Sequence, residues 1–341
     1  MVHRTITLPI FSEIPMRPFA SLLLIALTAL SGCERAAPVA PSTAPTNITI
    51  AQYGHVLLYL PLYVANARGY FAEQGLSVTL VSTGGDEKTF AAVASGSAQY
   101  GIADPVFTAV AREHGGGGKV IASLVNGVPF WGITYQKDAA AIVGPEQLRG
   151  KRIAVYTAPS TNYAVMADTL RQNQVQKATL VQGAFGTLVA LLKADRADIA
   201  MELEPTVSIA VADGASVVYS LPSRITEFAF TGVMTSDEYL AKNPKQAQGV
   251  VNALAKAVES IRNDPASALA VAKAEFPEVT EAVLRSALAR LVADNVIPRS
   301  VVLSEAAWKN AIDVRRSLGD ISGPGSYADN VDMQFATLAI P

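Results

Sequence analysis

Residues 76–105 read LSVTLVSTGGDEKTFAAVASGSAQYGIADP, and the order of elements in this stretch decides the fold. Residues 76–81 are apolar and rich in β-branched side chains, which predicts a strand. Ser82-Thr83-Gly84-Gly85-Asp86 is turn-forming and opens a helix that runs through Ala94. Residues 99–103 give a second strand, stopped at Asp104-Pro105, where the proline suits the start of another helix. Strand, helix and strand in this order need a crossover connection, so the two strands lie parallel in one sheet. The alternation extends both ways. Residues 47–52 predict a strand and 61–68 a short helix, with Leu62, Val64 and Ala65 as its inward positions. Residues 107–113 predict a helix and 119–123 a strand. After residue 140 the pattern repeats, with strands at 152–156, 178–181, 198–201 and 216–220 and helices ending at Gln172 and spanning 185–194. Beyond about residue 235 the chain turns helical. Thr235-x-x-Glu238 fits a capping box, and Asn243-Pro244, Asp264-Pro265 and Ser304-Glu305 mark further helix starts. Leu284, Leu288 and Leu291 form one apolar stripe, read as packing.

Composition bounds what such a chain can do. It has 341 residues, 50% of them apolar and 16% charged, enough for one large or two medium domains with a real core. Lys plus Arg is 27 against 29 for Asp plus Glu, a net charge of −2. No basic excess points to a nucleic-acid partner. One cysteine, Cys33, excludes an internal disulfide and a thiolate metal cluster. With only His3, His55 and His114 as imidazoles, a metal site is not expected. The four-glycine stretch 115–118 lacks the Lys-Ser/Thr ending of a phosphate loop and is read as a turn.

The N-terminus reads as an export signal. Residues 19–30, FASLLLIALTAL, form an apolar run too short to span a bilayer. Arg17 precedes it, and Leu30-Ser31-Gly32-Cys33 follows, which resembles the lipobox of bacterial lipoproteins, where the cysteine is lipidated and becomes the first residue. Residues 1–32 are then a signal peptide and 33–46 a lipidated cysteine with a Pro-rich tether. Met16-Arg17-Pro18 makes a more ordinary start than Met1. This leader places the body on the periplasmic side of a bacterial cell envelope, anchored to membrane through Cys33.

The body carries a further resemblance. Val64-Ala65-x-x-x-Gly69-Tyr70-Phe71-x-x-x-Gly75-Leu76-x-Val78 resembles the periplasmic solute-binding proteins of ABC importers for nitrate, alkanesulfonates, taurine and the thiamine pyrimidine precursor. The likeness continues through Ala91-x-x-Ala94-Ser95-Gly96-x-Ala98-x-x-Gly101-x-x-Asp104 and Leu148-x-Gly150-Lys151-Arg152-Ile153-Ala154. It resumes at Ala197-Asp198-Ile199-Ala200 and Glu204-Pro205. It implies an α/β, two-lobed clamshell of the type II periplasmic-binding-protein class, with two crossover strands and a helical C-terminal part. Lobe 1 would take residues 47–135, lobe 2 residues 136–228, and the return to lobe 1 with the C-terminal helices 229–341. The partners implied are a small-molecule solute and the permease and ATPase of an importer, the chain acting as a monomer without cofactor.

Ligands of open α/β sheets sit beyond the carboxyl ends of the strands, so the loops after each strand supply the candidate site. Tyr53 and Tyr59 could stack on a planar solute or pack under their loop. The resemblance makes His55 a candidate contact, because the pyrimidine-precursor binders carry a His in this loop; the alternative is bonding to nearby backbone. Thr83 and Gly84 expose amides at a helix start, with Asp86 read as the cap of that helix. Asp104 is either a cap or a ligand acceptor. Ser160, Thr161 and Asn162 precede a helix in lobe 2 where the sulfonate and nitrate relatives would hold an oxyanion. Glu202 and Glu204, spaced by two, share one side of a strand end. Trp131 near the first crossover could wall the pocket or fill the core. Asp86, Asp104, Glu202 and Glu204 face only Lys88 and His55, which favours a neutral or cationic, planar solute like a thiamine-precursor heterocycle. An alkanesulfonate, taurine or nitrate is the second reading. An enzyme resembling the fungal pyrimidine synthases of thiamine biosynthesis is a third; their cysteine-rich motif is absent here. A ligand-sensing accessory protein fits the same residues as a transporter component.

Overall fold

A computed structural model describes residues 44–339. The expected signal peptide, Cys33 and most of the tether lie outside the described residues. The strands are β1 (Thr46–Gln52), β2 (Leu76–Ser82), β3 (Tyr100–Ala103), β4 (Lys119–Asn126), β5 (Trp131–Thr134), β6 (Arg152–Tyr156), β7 (Thr179–Gly183), β8 (Ile199–Glu202), β9 (Ser216–Ser220) and β10 (Ala229–Thr235). They form two five-stranded sheets, ordered β2-β1-β3-β10-β4 and β7-β6-β8-β5-β9. β1 runs parallel to β2 and β3, and β6 parallel to β7 and β8. The expected βαβ unit is therefore present, and β6–β8 repeat its arrangement in the second sheet.

Each sheet also receives one antiparallel strand from the chain's passage between them. β5 leaves the first sheet and inserts between β8 and β9, and β10 returns to insert between β3 and β4. The two-lobed α/β fold with two crossovers follows from this exchange. The chain changes sheet between Asn126 and Trp131, ahead of the expected boundary after residue 135, because β5 already belongs to the second sheet. The two crossing segments touch. Leu221 N donates to Phe130 O at 3.1 Å, and Gly127, at φ +66°, approaches Ile225 O so closely that a Cβ would sit 3.0 Å from it. Only a residue without a side chain suits both the left-handed backbone and that approach.

The C-terminal part is helical as expected. Pro244–Asn263 buries Ala247, Val250, Val251, Leu254, Val258 and Ile261 along one face, the spacing of an amphipathic helix. Leu284, Leu288 and Leu291 are buried. The capping box expected at Thr235 does not form, and the cap falls one residue later. Ser236 caps the helix Asp237–Lys242 by accepting from Tyr239 N, while Thr235 Oγ1 donates to Gln99 O. Thr235 is the last residue of β10, so its side chain is taken by the sheet.

Candidate functional site

The carboxyl ends of both sheets face a common cavity of about 50 Å³, room for on the order of four water molecules. From the first lobe it is lined by Tyr53 after β1, Leu58 and Tyr59, Asp86 after β2, Asp104 after β3, and Phe230 and Thr231 of β10. The second lobe contributes Tyr156 at the end of β6, the segment Ser160 to Asn162, Phe185 after β7 and Leu203 after β8, and the first crossover adds Phe130.

Aromatic rings form a circuit through this wall. Tyr53 meets Phe185 edge-on across the lobes at 6.1 Å. Phe185 tilts against Tyr156 at 5.4 Å, Tyr156 is edge-on to Phe130 at 6.1 Å, and Phe130 edge-on to Phe230 at 5.4 Å. These are favoured aromatic geometries, and they span both lobes and the crossover. Phe185 is 50% exposed and sits at the rim. Tyr53 is held by its backbone, its N donating to Ile102 O at 3.1 Å and its O accepting from Gly84 N at 2.8 Å.

The lobes are fastened to each other by polar contacts. Thr161 Oγ1 donates to Asp104 Oδ2 at 2.7 Å across the cleft. Arg315, on the helix Glu305–Ser317 and 5% exposed at its side chain, donates to the same oxygen at 2.7 Å, to Thr161 Oγ1 at 3.1 Å and to Pro159 O at 2.6 Å. Val106 N donates to Asp104 Oδ1 at 3.0 Å. Both Asp104 oxygens are therefore engaged.

The remaining candidates divide. Ser160 caps the helix Thr161–Gln172 by accepting from Tyr163 N at 3.2 Å. Asn162 ties β6 to β8, accepting from Tyr156 N and donating to Met201 O. Thr83 and Gly84 do not line the cavity. Thr83 Oγ1 lies 2.6 Å from Thr89 Oγ1 and donates to Gln52 O, and the Gly84 amide serves Tyr53, so the expected lobe 1 amide cradle is already spent. His55 is placed elsewhere. It stacks on Phe276 at 4.5 Å and lies 2.9 Å from the Glu275 carboxylate, because the C-terminal helices cover this loop. Trp131 is core rather than wall, with Nε1 donating to Asp294 Oδ2 at 2.7 Å. Glu204 pairs with Arg290 and accepts from Ser208 N and Oγ at 3.0 and 2.9 Å. Glu202 is fully buried beneath Tyr156, whose hydroxyl donates to Oε2. Its Oε1 has no partner among the described residues, and burial pushes its carboxyl up to about 7.

Asp86, expected to cap its helix, instead forms part of the cavity wall. Its Oδ1 accepts from Asp104 N at 2.9 Å. Burial, then the neighbouring Asp104 carboxylate, push it up to about 7. Phe130, Tyr156, Phe185 and Phe230 were not expected at the site, although Tyr156 and Phe185 end or follow strands, the positions the strand-end rule singles out.

The family described as NMT1/THI5 like matches residues 58–268, well over half of the chain. The chain belongs to the NMT1/THI5-like family. Among curated relatives, the putative binding protein YtlA of Bacillus subtilis (strain 168) is 23% identical over 305 residues, covering 85% of this chain and 89% of that protein. A 4-amino-5-hydroxymethyl-2-methylpyrimidine phosphate synthase of Aspergillus parasiticus is 26% identical over 244 residues, covering 65% and 68%. Among solved structures, the alkanesulfonate-binding protein SsuA of Xanthomonas axonopodis pv. citri, bound to MOPS, superposes with a TM-score of 0.67 at 17% identity, covering 86% of this chain and all of that one. The fold of this NMT1/THI5-like protein is thus that of the periplasmic binding proteins. No helix among the described residues is long and apolar enough to cross a membrane.

Proposed function

We propose that this NMT1/THI5-like protein is the lipid-anchored solute-binding component of an ABC importer. It acts on the periplasmic side of a bacterial cell envelope, captures a small, planar, neutral or cationic organic solute between its lobes, and passes it to a permease and ATPase. The observation that carries the proposal is the aromatic circuit Tyr53–Phe185–Tyr156–Phe130–Phe230 around a cavity at the carboxyl ends of both sheets. Flat rings offer stacking faces to a flat solute, and such a wall does not depend on charge. Asp86 and Asp104 border the same cavity, and the guanidinium beside them, Arg315, is already committed to Asp104, Thr161 and Pro159. A sulfonate or nitrate would meet two carboxyls there and no uncommitted cation of the wall, so the second reading is disfavoured on charge. The relative that makes an aminopyrimidine phosphate supports a small planar heterocycle, and the one named a binding protein supports capture without chemistry. The anchor rests on the lipobox at Leu30 to Cys33.

A thermal-shift screen of the purified full chain tests the solute class. Aminopyrimidines and other planar amines should raise Tm by roughly 5 °C at a hundredfold excess over Kd, with taurine, alkanesulfonates and nitrate inert. Stabilisation by sulfonates alone would reverse the assignment.

A further inference from the structure

We propose that Asp86 is the residue that reads the solute, its free carboxylate oxygen accepting an N–H from a weakly basic nitrogen heterocycle, while Asp104 serves as the clasp between the lobes. The inference rests on the capture reading above and narrows its solute class.

Four acids lie at or just after the strand ends, and three of them are either filled or set back from the cavity. Asp104 has both oxygens filled, by Thr161 and Arg315 on one and Val106 N on the other. Glu204 is filled by Ser208 and Arg290. Glu202 lies beneath Tyr156, which rather than Glu202 forms the cavity wall. Asp86 alone of the four both borders the cavity and keeps an oxygen, Oδ2, without a donor among the described residues. Its other oxygen is pinned by the Asp104 amide, so the side chain is held in place rather than free to turn away. Tyr53 and Tyr59 flank the same wall, which sets an aromatic face beside an acceptor. An amino group on a planar ring, or a protonated ring nitrogen, meets both demands at once. A buried acceptor left unpaired by a ring lacking that N–H costs affinity, and this asymmetry makes hydrogen-bonding groups selective.

The test uses the full chain and two probes, 4-amino-5-hydroxymethyl-2-methylpyrimidine and the same ring with hydrogen in place of the 4-amino group, titrated by calorimetry. The wild type should prefer the amino compound by at least about tenfold. Asp86→Asn keeps an acceptor for the Asp104 amide but loses the carboxylate, and should reduce that preference to within about twofold by weakening the amino compound. Asp86→Ser serves as a second variant should the first fail to fold, with the same result expected. Asp104→Asn should weaken both probes alike. Full preference in a folded Asp86 variant would overturn the inference. So would equal binding of the two probes by the wild type, which leaves capture in the cleft standing. Binding of neither probe while taurine or an alkanesulfonate binds would overturn the solute class and this inference together.

Discussion

Glu202 shows how a single side chain ties the site to stability. It is fully buried with one oxygen unpartnered, a costly position for a charge. Burial raises its carboxyl to about 7, the Tyr156 hydroxyl opposing. Asp86 rises to about 7 through burial and Asp104, and Glu204 moves the same way, with Arg290 opposing burial. A carboxyl raised in the folded state holds its proton to higher pH than in the unfolded chain. Its protonated form is therefore fully compatible with folding below about pH 4, and stability is lost as pH climbs from there to about 7. For Glu202 the loss is roughly 3 kcal/mol at most; Asp86 retains some exposure and contributes less. Unliganded protein should melt at a lower temperature at pH 7.5 than at pH 5.5, and the double variant Asp86→Asn, Glu202→Gln should flatten that slope. A wild-type Tm that rises over this interval would contradict the burial account of these two acids.

At the scale of elements, the parallel strands were legible because long apolar runs and turn residues mark them, as at 76–81 and 152–156. β5 and β10 were not. β5 is four residues, all buried, and each strand has a glycine inside it, Gly132 and Gly232, where the neighbouring strand crowds in. Neither shows the alternation that marks a half-exposed strand. The site was half legible for a related reason. Tyr53, Tyr59, Asp104 and Ser160 to Asn162 come after strands in the sequence and border the cavity. His55, Thr83, Gly84, Trp131, Glu202 and Glu204 do not border it, and for three of them the partners come from distant sequence. Glu275 and Phe276 take His55, Asp294 takes Trp131, and Arg290 takes Glu204. The sequence predicts a helix from Phe185, whereas the helix begins at Leu188 and leaves the ring in the loop at the rim. The aromatic circuit has no spacing signature, since it exists only when the lobes face each other.

At the scale of the molecule, the C-terminal helices act as a strap between the lobes. Arg315 fastens Asp104 of one lobe to Thr161 and Pro159 O of the other, and Ser317 Oγ donates to Asp168 Oδ1 of the second lobe at 2.7 Å. With a cavity of about 50 Å³ the lobes are shut almost onto one another, and on the proposed capture reading a solute enters as they part. The proposed lipid anchor belongs to this scale too. Cys33→Ala should move the protein from the membrane fraction to the soluble periplasmic fraction without altering its melting temperature, and persistent membrane association would contradict the lipid anchor.

The central claim is that two lobes close on a planar solute and release it unaltered. The most direct measurement is calorimetric titration of the full chain with 4-amino-5-hydroxymethyl-2-methylpyrimidine, followed by recovery of the bound compound and its mass. The account predicts one molecule bound per chain and an unchanged mass on release. A converted product, or no binding while a sulfonate binds in its place, would contradict it.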